Sequence, residues 1–293
     1  MSDFQIRLLN GDEQRMILPL LGVCFPDYWE QLAVKNNKMP FEEISFAAFD
    51  GEKVVGHCGI IPYQIWCGGK LYPMAGVASV ATHPDYRRRG IAAGLCKFAA
   101  EWAAEKGFAS LPLYTGFFQV YEKQQWQTLQ LPPVYRIADG KRTAAISWCR
   151  GSDLSEAEKK NIAALYEKSE MFDGKVVRSA SGTLHSWERM FNDPDLRFAA
   201  VPKMYAIKVD DVVVELNFSA ENTTLADRRR LFYQLGAQNI YLPLTEMNAE
   251  LFAEVELLIS DADPMHGELP MVRDIVEKFH SVNQIYFPAA DKF

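Results

Sequence analysis

Residues 76–107 read GVASVATHPDYRRRGIAAGLCKFAAEWAAEKG, and this stretch decides the fold. It opens with a short β-prone run, residues 77–82, which a polar turn containing Pro84 brings to an end. From Gly90 onward, apolar residues recur at helical spacing and charged residues occupy the opposite face. Gly107 stands where a glycine commonly ends a helix. The stretch therefore predicts a strand, a basic turn and an amphipathic helix.

The turn between this strand and this helix carries three arginines, Arg87, Arg88 and Arg89, followed by Gly90. The first N–H groups of a helix have no partner inside the helix, and the helix dipole places partial positive charge there. Such an end binds phosphates readily when a glycine lets the ligand approach the backbone. The pattern predicts a pyrophosphate site, although an ordinary turn with a solvated basic face fits the pattern equally well.

The order of residues in this turn resembles a known motif. Arg87-x-x-Gly90-x-Ala92, preceded by VATHP at 80–84, is similar to the acetyl-CoA motif of the GNAT N-acetyltransferases, (Q/R)-x-x-G-x-(G/A). The resemblance implies that the turn and the first helical turn hold the pyrophosphate of acetyl-CoA, which is a co-substrate. The residues so assigned are Arg88, Arg89, Gly90, Ile91, Ala92 and Ala93.

A second motif lies downstream in the order and at the spacing that the family has. Residues 121–126, YEKQQW, resemble the family sequence Y-E-K-x-G-F, with Gln125 and Trp126 in place of its glycine and phenylalanine. Within the family, the run YRRRG at 86–90, with Thr115 and Tyr121 downstream, is most similar to the Eis-like branch, which has two fused GNAT-type domains and a third, C-terminal domain. We expect this chain to lack the third domain.

The family resemblance also implies how the rest of the cofactor is held. In the GNAT fold the motif strand and the next strand splay apart, and unpaired backbone groups in the gap bond to the pantetheine arm as an added strand would. By this resemblance, Val80, Ala81 and Thr82 contribute those backbone groups. Thr115 and Gly116 line the other side of the gap.

The reaction implied is direct transfer of an acetyl group to a primary amine of a small molecule or peptide. A backbone N–H near Val80 would polarise the thioester carbonyl. Tyr121 stands where the family has the tyrosine that gives a proton to the CoA sulfur, although an aromatic core residue at a helix start fits the pattern too. The alternatives are an acyl-CoA sensor without turnover and a transferase for a longer acyl or an aminoacyl group.

No residue is marked as the general base. In the Eis-like branch the terminal carboxylate takes part in the site, which here would be that of Phe293. His83 is a second candidate, although a turn histidine before a proline is the simpler interpretation. Asp27 and Glu30, in a predicted helix on the substrate side, are further candidates.

The whole chain predicts an α/β (α+β) fold of two GNAT-like units, each a mixed, mostly antiparallel sheet flanked by helices. We assign residues 1–135 to the acetyltransferase domain, 136–150 to a linker and 151–293 to a second, degenerate unit. Residues 217–224, NFSAENTT, stand where the second unit would carry the cofactor turn, and they contain no basic motif. We expect this unit to be catalytically silent and to complete either the substrate cleft or an oligomer interface.

Composition sets further limits. The 293 residues carry a formal net charge of −7, which disfavours a general nucleic-acid binder. The five cysteines form no C-x-x-C pair, and no leader or run of ~20 apolar residues is visible. We expect a cytoplasmic protein that binds neither nucleic acid nor membrane. The five histidines lack metal-ligand spacing, so we expect no metal.

Overall fold

The structure is a computed structural model that describes residues 4–26, 30–39, 42–129, 131–138, 145–237, 239–243 and 245–275. Within these ranges the helices and strands form two layered units. The elements of the first half are β1 (Gln5–Leu8), a 3-10 helix (Glu13–Ile17), α1 (Leu18–Cys24), α2 (Glu30–Asn36), β2 (Ile44–Asp50), β3 (Lys53–Cys67), β4 (Lys70–Thr82), a 3-10 turn (Pro84–Tyr86), α3 (Ile91–Glu105), β5 (Ser110–Thr115), α4 (Phe118–Glu122) and β6 (Gln127–Thr128).

The second half repeats the alternation of helices and strands. Its elements are β7 (Tyr135–Ile137), a 3-10 turn (Gly151–Asp153), α5 (Glu156–Lys168), α6 (Trp187–Asn192), β8 (Leu196–Val201), β9 (Met204–Val209), β10 (Val212–Phe218), α7 (Leu225–Gln234), β11 (Asn239–Ile240), α8 (Glu246–Ala253), β12 (Leu257–Ile259) and β13 (Leu269–Asp274).

Two mixed sheets organise the described residues. The first has the order β1-β2-β3-β4-β5-β13-β6, and the second has the order β12-β7-β11-β10-β9-β8. Neighbours are antiparallel except at β4–β5 and at β10–β11, which are parallel. The predicted fold class, two units that each have a mixed, mostly antiparallel sheet flanked by helices, is confirmed.

The core of the first unit lies on both faces of its sheet. Helix α3 packs its apolar stripe on one face, where Leu95, Cys96 and Ala99 are fully buried beside Phe46. Helix α1 packs on the other face, around Ile17 and neighbouring leucines. The two faces are therefore separate environments, and a side chain on a strand reaches only one of them.

Strands β3 and β4 form a longer ribbon than the sequence predicts. The sequence predicts two strands, at 53–61 and 63–67, with a break at Pro62, yet β3 runs unbroken from Lys53 to Cys67. The edge of β3 bonds to residues 174–177. The N–H of Trp66 donates to the carbonyl oxygen of Lys175, and the N–H of Val177 donates to the carbonyl oxygen of Gln64. Pro62 has the same parity as Gln64 and Trp66, so its missing N–H faces that edge rather than β4. The break predicted at Pro62 was wrong for this reason.

Sheet membership departs from chain order at two strands. β7 lies in the second sheet, and β13 returns to the first sheet, where it pairs along its length with β5 and at two residues with β6. Met271 of β13 is fully buried in the core of the first unit. The division at 1–135, 136–150 and 151–293 stays a prediction, and these two strands cross it.

Other departures are local. Periodicity in the sequence predicts a helix over 248–259, but α8 ends at Ala253 and residues 257–259 form strand β12. The single helix expected over 12–25 is a 3-10 helix followed by α1, which carries Pro19 in its first turn. The sequence also predicts a helix at 274–280 and a strand at 284–287, but residues 276–293 lie outside the described residues. The candidate bases Asp27 and Phe293 lie outside them as well.

Candidate active site

The first turn of α3 is left without caps. Gly90 is the N-cap residue at φ 80°, and no side chain accepts a hydrogen bond from this helix end. A Cβ added to Gly90 would meet no atom within 4 Å, so the glycine is required by its left-handed backbone and not by crowding. Among the described residues, no acceptor is bonded to the N–H groups of residues 88–93. The turn therefore presents a row of free donors beside open space.

Two of the three arginines brace this turn. Arg87 donates from Nε to the carbonyl oxygen of Thr82 at 3.3 Å. Arg89 donates to the carbonyl oxygen of Asp85 at 3.1 Å, and its guanidinium lies 5.0 Å from the ring centre of Tyr86. Arg88 is exposed at φ 63°, and no hydrogen bond or ion pair of the described residues holds its side chain. Of the three guanidinium groups, that of Arg88 is therefore the one available to pair with an anion.

The gap between β4 and β5 opens directly after their only paired position. Met74 faces Ser110, and the N–H of Ala109 donates to the carbonyl oxygen of Pro73, yet no further pair joins the strands although β4 continues to Thr82. The backbone edge of β4 that faces β5 is therefore unpaired over its second half. Val80, Ala81 and Thr82 lie at the end of this edge, beside the uncapped turn.

The opposite wall of the gap is the end of β5. Thr115 is buried and accepts the N–H of Phe117 with its hydroxyl oxygen at 2.9 Å, which fixes the turn into α4. Gly116 follows, and a Cβ there would approach the carbonyl oxygen of Gly267 at 3.9 Å. The structure thus brings the predicted cofactor residues of both strands to one gap.

Tyr121 lies on the α3 side of the sheet, in the buried core of the first unit. Burial raises the pKa of its phenol, and the nearby thiols of Cys96 and Cys58 add to the increase. Its ring packs edge-on against Trp126, whose indole N–H donates to the carbonyl oxygen of Leu111 at 2.9 Å. The phenol therefore stays protonated at neutral pH.

Gln125 occupies the position where the second motif usually has glycine, and it adopts a positive φ of 71°. The N–H of Trp126 bonds to the carbonyl oxygen of Tyr121 at 3.2 Å, as in a helix end closed by a left-handed residue. The departure from the motif thus keeps the glycine's backbone conformation. The side chain costs about 1–2 kcal/mol in that conformation.

A buried polar cluster on the other face of the sheet was missed from the sequence, except that Glu30 was one candidate base. It joins Glu30 of α2, Glu43 before β2, His57 of β3 and Ser79 of β4. Ser79 sits in a β-bulge at φ 49°, where the register between β3 and β4 shifts. His57 and Cys58 point to opposite faces of the sheet, because Cys58 belongs to the α3 core. The only sequence signal was polar residues inside otherwise apolar strands.

His83 closes the turn before the arginines. Its Nδ1 accepts the N–H of Asp85 at 3.3 Å, and its ring packs edge-on against Tyr86. These contacts favour the interpretation as a turn residue over that as a general base.

The second unit has the same gap but a closed helix end. Strands β10 and β11 pair at only two positions, and a cleft lined partly by residues 214–218 opens beyond them. Helix α7 follows, and its N-cap Thr224 forms a capping box with Asp227. The carboxylate of Asp227 accepts the N–H of Thr224 and the hydroxyl of Thr224 accepts the N–H of Asp227, so this helix end is capped and that of α3 is not. Arg228, Arg229 and Arg230 form ion pairs with Glu250, Glu254 and Asp227, as a solvated helix face does.

In the parts of the chain that the structure describes, no group of three or more His, Cys, Asp or Glu side chains is arranged to hold a metal ion. None of the described helices is long and apolar enough to cross a membrane.

Comparisons with known proteins agree with this geometry. Residues 5–129 match the family model described as an acetyltransferase (GNAT) domain. A search of curated protein sequences gave no match. Among solved structures, a GCN5-related N-acetyltransferase from Kribbella flavida is 19% identical, with a TM-score of 0.59, covering 93% of this chain and 72% of that one.

Two further structures share the fold over nearly the same extent. A protein of Enterococcus faecalis V583 described as a probable N-acyltransferase is 17% identical, with a TM-score of 0.63, covering 94% of this chain and 73% of that one. Eis1 from Mycobacterium abscessus is 17% identical, with a TM-score of 0.58, covering 93% and 74%. The chain is therefore an acyltransferase that carries a GNAT-family acetyltransferase domain at residues 5–129, with the overall fold of the Eis-like branch that its motifs predicted.

Proposed function

We propose that the first unit transfers the acetyl group of acetyl-CoA to a primary amine of a small molecule or peptide. The observation that carries this proposal is the uncapped N-terminus of α3, which opens beside the gap between β4 and β5. The free N–H groups from Arg88 to Ala93 and the guanidinium of Arg88 bind the pyrophosphate. The pantetheine arm lies in the gap and bonds to the free edge of β4 at Val80, Ala81 and Thr82, opposite Thr115 and Gly116.

The amine nitrogen attacks the thioester carbon, so that a C–N bond forms and the C–S bond breaks. The N–H groups at the bulge of β4, next to Val80, polarise the thioester oxygen. Tyr121 donates a hydrogen bond to the departing sulfur and, as a neutral phenol at neutral pH, supplies its proton. Burial makes this phenol a weaker acid in the free protein, and its hydrogen bond to the thiolate offsets that disadvantage as the sulfur becomes charged.

The second unit takes no part in the chemistry, because its helix end is closed by Thr224 and Asp227. It contributes instead to the substrate cleft or to an interface between copies of the chain.

The experiment is a measurement of acetyl-CoA binding by calorimetry, followed by an assay of thiol release with a panel of amines. The panel contains alkyl diamines, aminoglycosides, aromatic amines and peptides with free N-termini, and a reaction without amine gives the background. We expect binding with 1:1 stoichiometry and amine-dependent thiol release. Binding without release from any amine would refute acetyl transfer and favour the acyl-CoA sensor.

A further inference from the structure

The polar cluster beneath the bulge of β4 is buried on the face of the sheet opposite α3. The exposed fractions are 3% for Glu30, 4% for Glu43 and 0% for His57. Burying a carboxylate costs several kcal/mol unless it is paired or neutralised. Three titratable groups kept together in one core are therefore a feature that the fold does not require.

Two of the three groups, Glu30 and His57, contact Ser79, and Glu43 contacts His57. The hydroxyl of Ser79 donates to Glu30 Oε1 at 2.9 Å, and its carbonyl oxygen lies 2.8 Å from His57 Nδ1. A carbonyl oxygen only accepts, so Nδ1 carries the hydrogen of this bond. His57 Nε2 lies 3.1 Å from Glu43 Oε1. His57 and Glu30 therefore hold the bulge from two sides.

One oxygen of Glu30 has no hydrogen-bond partner in the described part of the chain. Glu30 Oε2 is buried, and no hydrogen bond of the described residues reaches it. Leaving a buried acceptor unsatisfied costs about 1–3 kcal/mol, and more when it is charged. Glu43 Oε2 also has no partner among the described residues. Glu43 contacts His57, whereas Glu30 bonds directly to Ser79 in the bulge.

Burial raises the pKa of Glu30, and the charge of Glu43 adds to the increase while His57 opposes it. A carboxylate with a raised pKa is a better base near neutral pH than an exposed one. Its neighbours in the described structure are the hydroxyl of Ser79 on β4, the imidazole on β3 and the carboxylate before β2.

We propose that Glu30 accepts the proton of the attacking amine on Oε2, and that Ser79 and His57 position both this carboxylate and the bulge. The inference rests on the proposed acetyl transfer. The amine approaches from the α2 face while the cofactor enters from the α3 side. As its nitrogen bonds to the thioester carbon, one N–H proton moves to Oε2 and the C–S bond breaks. The thiolate receives its own proton from Tyr121, and Glu30 later releases its proton to solvent.

The test compares Glu30→Gln with Glu42→Gln, the same substitution at an exposed position outside the cluster. Glutamine keeps an acceptor for the hydroxyl of Ser79 but cannot take a proton. We expect E30Q to lower kcat about 10²- to 10⁴-fold with an alkyl amine, while acetyl-CoA affinity and Tm stay close to wild type. E42Q should match wild type in all three.

Two readouts separate a base from a structural residue. With hydroxylamine, E30Q should lose much less activity than with an alkyl amine, because its less basic nitrogen gives up its proton to water more easily as the C–N bond forms. The kcat/KM of wild type should rise with pH as Glu30 ionises, and E30Q should lack that limb. In Ser79→Ala the limb should persist, shifted in pH, because the carboxylate remains.

The outcomes distinguish this inference from the proposed function. If wild type releases thiol and E30Q does so equally fast with the same pH limb, the assignment of Glu30 is overturned and acetyl transfer stands. If E30Q loses acetyl-CoA affinity and Tm as much as turnover, with equal losses for both amines, Glu30 is structural and the assignment is again overturned. If wild type releases no thiol with any amine, both proposals fall.

Discussion

Alanine at Gly90 tests the pyrophosphate site more sharply than any charge reversal, because the chain offers a matched control. Gly90 and Gly107 flank the same helix, at φ 80° and 78°, and a Cβ at either position would meet nothing within 4 Å. Each alanine therefore introduces the same strain and no clash. Any difference between the two variants reports on what binds at the N-terminus of α3.

The stability cost follows from the backbone. A residue other than glycine in a left-handed conformation lowers the free energy of unfolding by about 1–2 kcal/mol. Alanine also reduces the entropy of the unfolded chain, which offsets roughly 0.4–1 kcal/mol of that loss. We expect a net loss of about 1 kcal/mol for both Gly90→Ala and Gly107→Ala. In a protein of this size that corresponds to a fall in Tm of about 2–4 °C.

Only Gly90→Ala should lower the affinity for acetyl-CoA. Its new Cβ enters the space where the phosphate would meet the free N–H groups, and any relaxation of the turn misaligns those donors. Losing one hydrogen bond to a charged group costs about 1.5–3 kcal/mol, which is a 10- to 150-fold increase in the Kd of acetyl-CoA. Gly107 lies at the other end of α3, roughly 22 Å away at 1.5 Å per residue. Its variant should bind acetyl-CoA within twofold of wild type.

The assay is titration calorimetry on all three proteins, with Tm measured on the same samples. If G90A loses stability as G107A does and still binds acetyl-CoA as wild type does, no phosphate lies at this turn and the proposed cofactor geometry is refuted.

Three further predictions concern single side chains. Tyr121→Phe should lower kcat by about 10²-fold or more with acetyl-CoA affinity unchanged, and unaltered turnover would remove the tyrosine from the mechanism. Gln125→Gly should leave Tm unchanged or raise it by a few degrees, since it relieves a residue at φ 71°; a clear fall in Tm would contradict the strain. Burial lowers the pKa of Lys175 to about 8, below the ~10.4 of an unfolded lysine, so the unfolded chain holds the extra proton between those values. As the pH rises from 8 to 10, urea unfolding should therefore show the stability of wild type rising relative to that of Lys175→Met, by roughly 1–2 kcal/mol because solvent screens part of the shift. A stability difference that does not change with pH would refute the lowered pKa of Lys175.

The sequence predicted well wherever a local rule decides the conformation. The basic turn and the start of α3 depend on glycine and on periodicity within a few positions. The motif tyrosine and the strand edges around the gap followed from the family resemblance. Where Gln125 replaces the usual glycine, the backbone requirement persisted although its sequence signal was lost.

What the sequence did not predict depends on distant residues. Strand β13 pairs with β5 although more than 150 residues separate them in the sequence, and the composition of neither strand indicates its partner. The cluster around Ser79 draws one residue each from a helix, a loop and two strands, and the bulge has no residue that requires it. Burial of Glu30 is visible only once α2 is placed against the sheet.

The two units have equivalent gaps between strands, but the N-termini of the helices beside those gaps differ in their capping. A capping side chain stabilises a helix by about 0.5–2 kcal/mol, and α7 has one in Thr224. Helix α3 forgoes that stabilisation, which is intelligible if a ligand supplies the missing acceptors. The second half still matters to the site, because the wall of the gap at β5 is paired on its far side by β13, which follows the second unit in the chain. In the order of the chain, the second unit thus lies between β5, at the gap of the first unit, and β13, a strand that supports that gap.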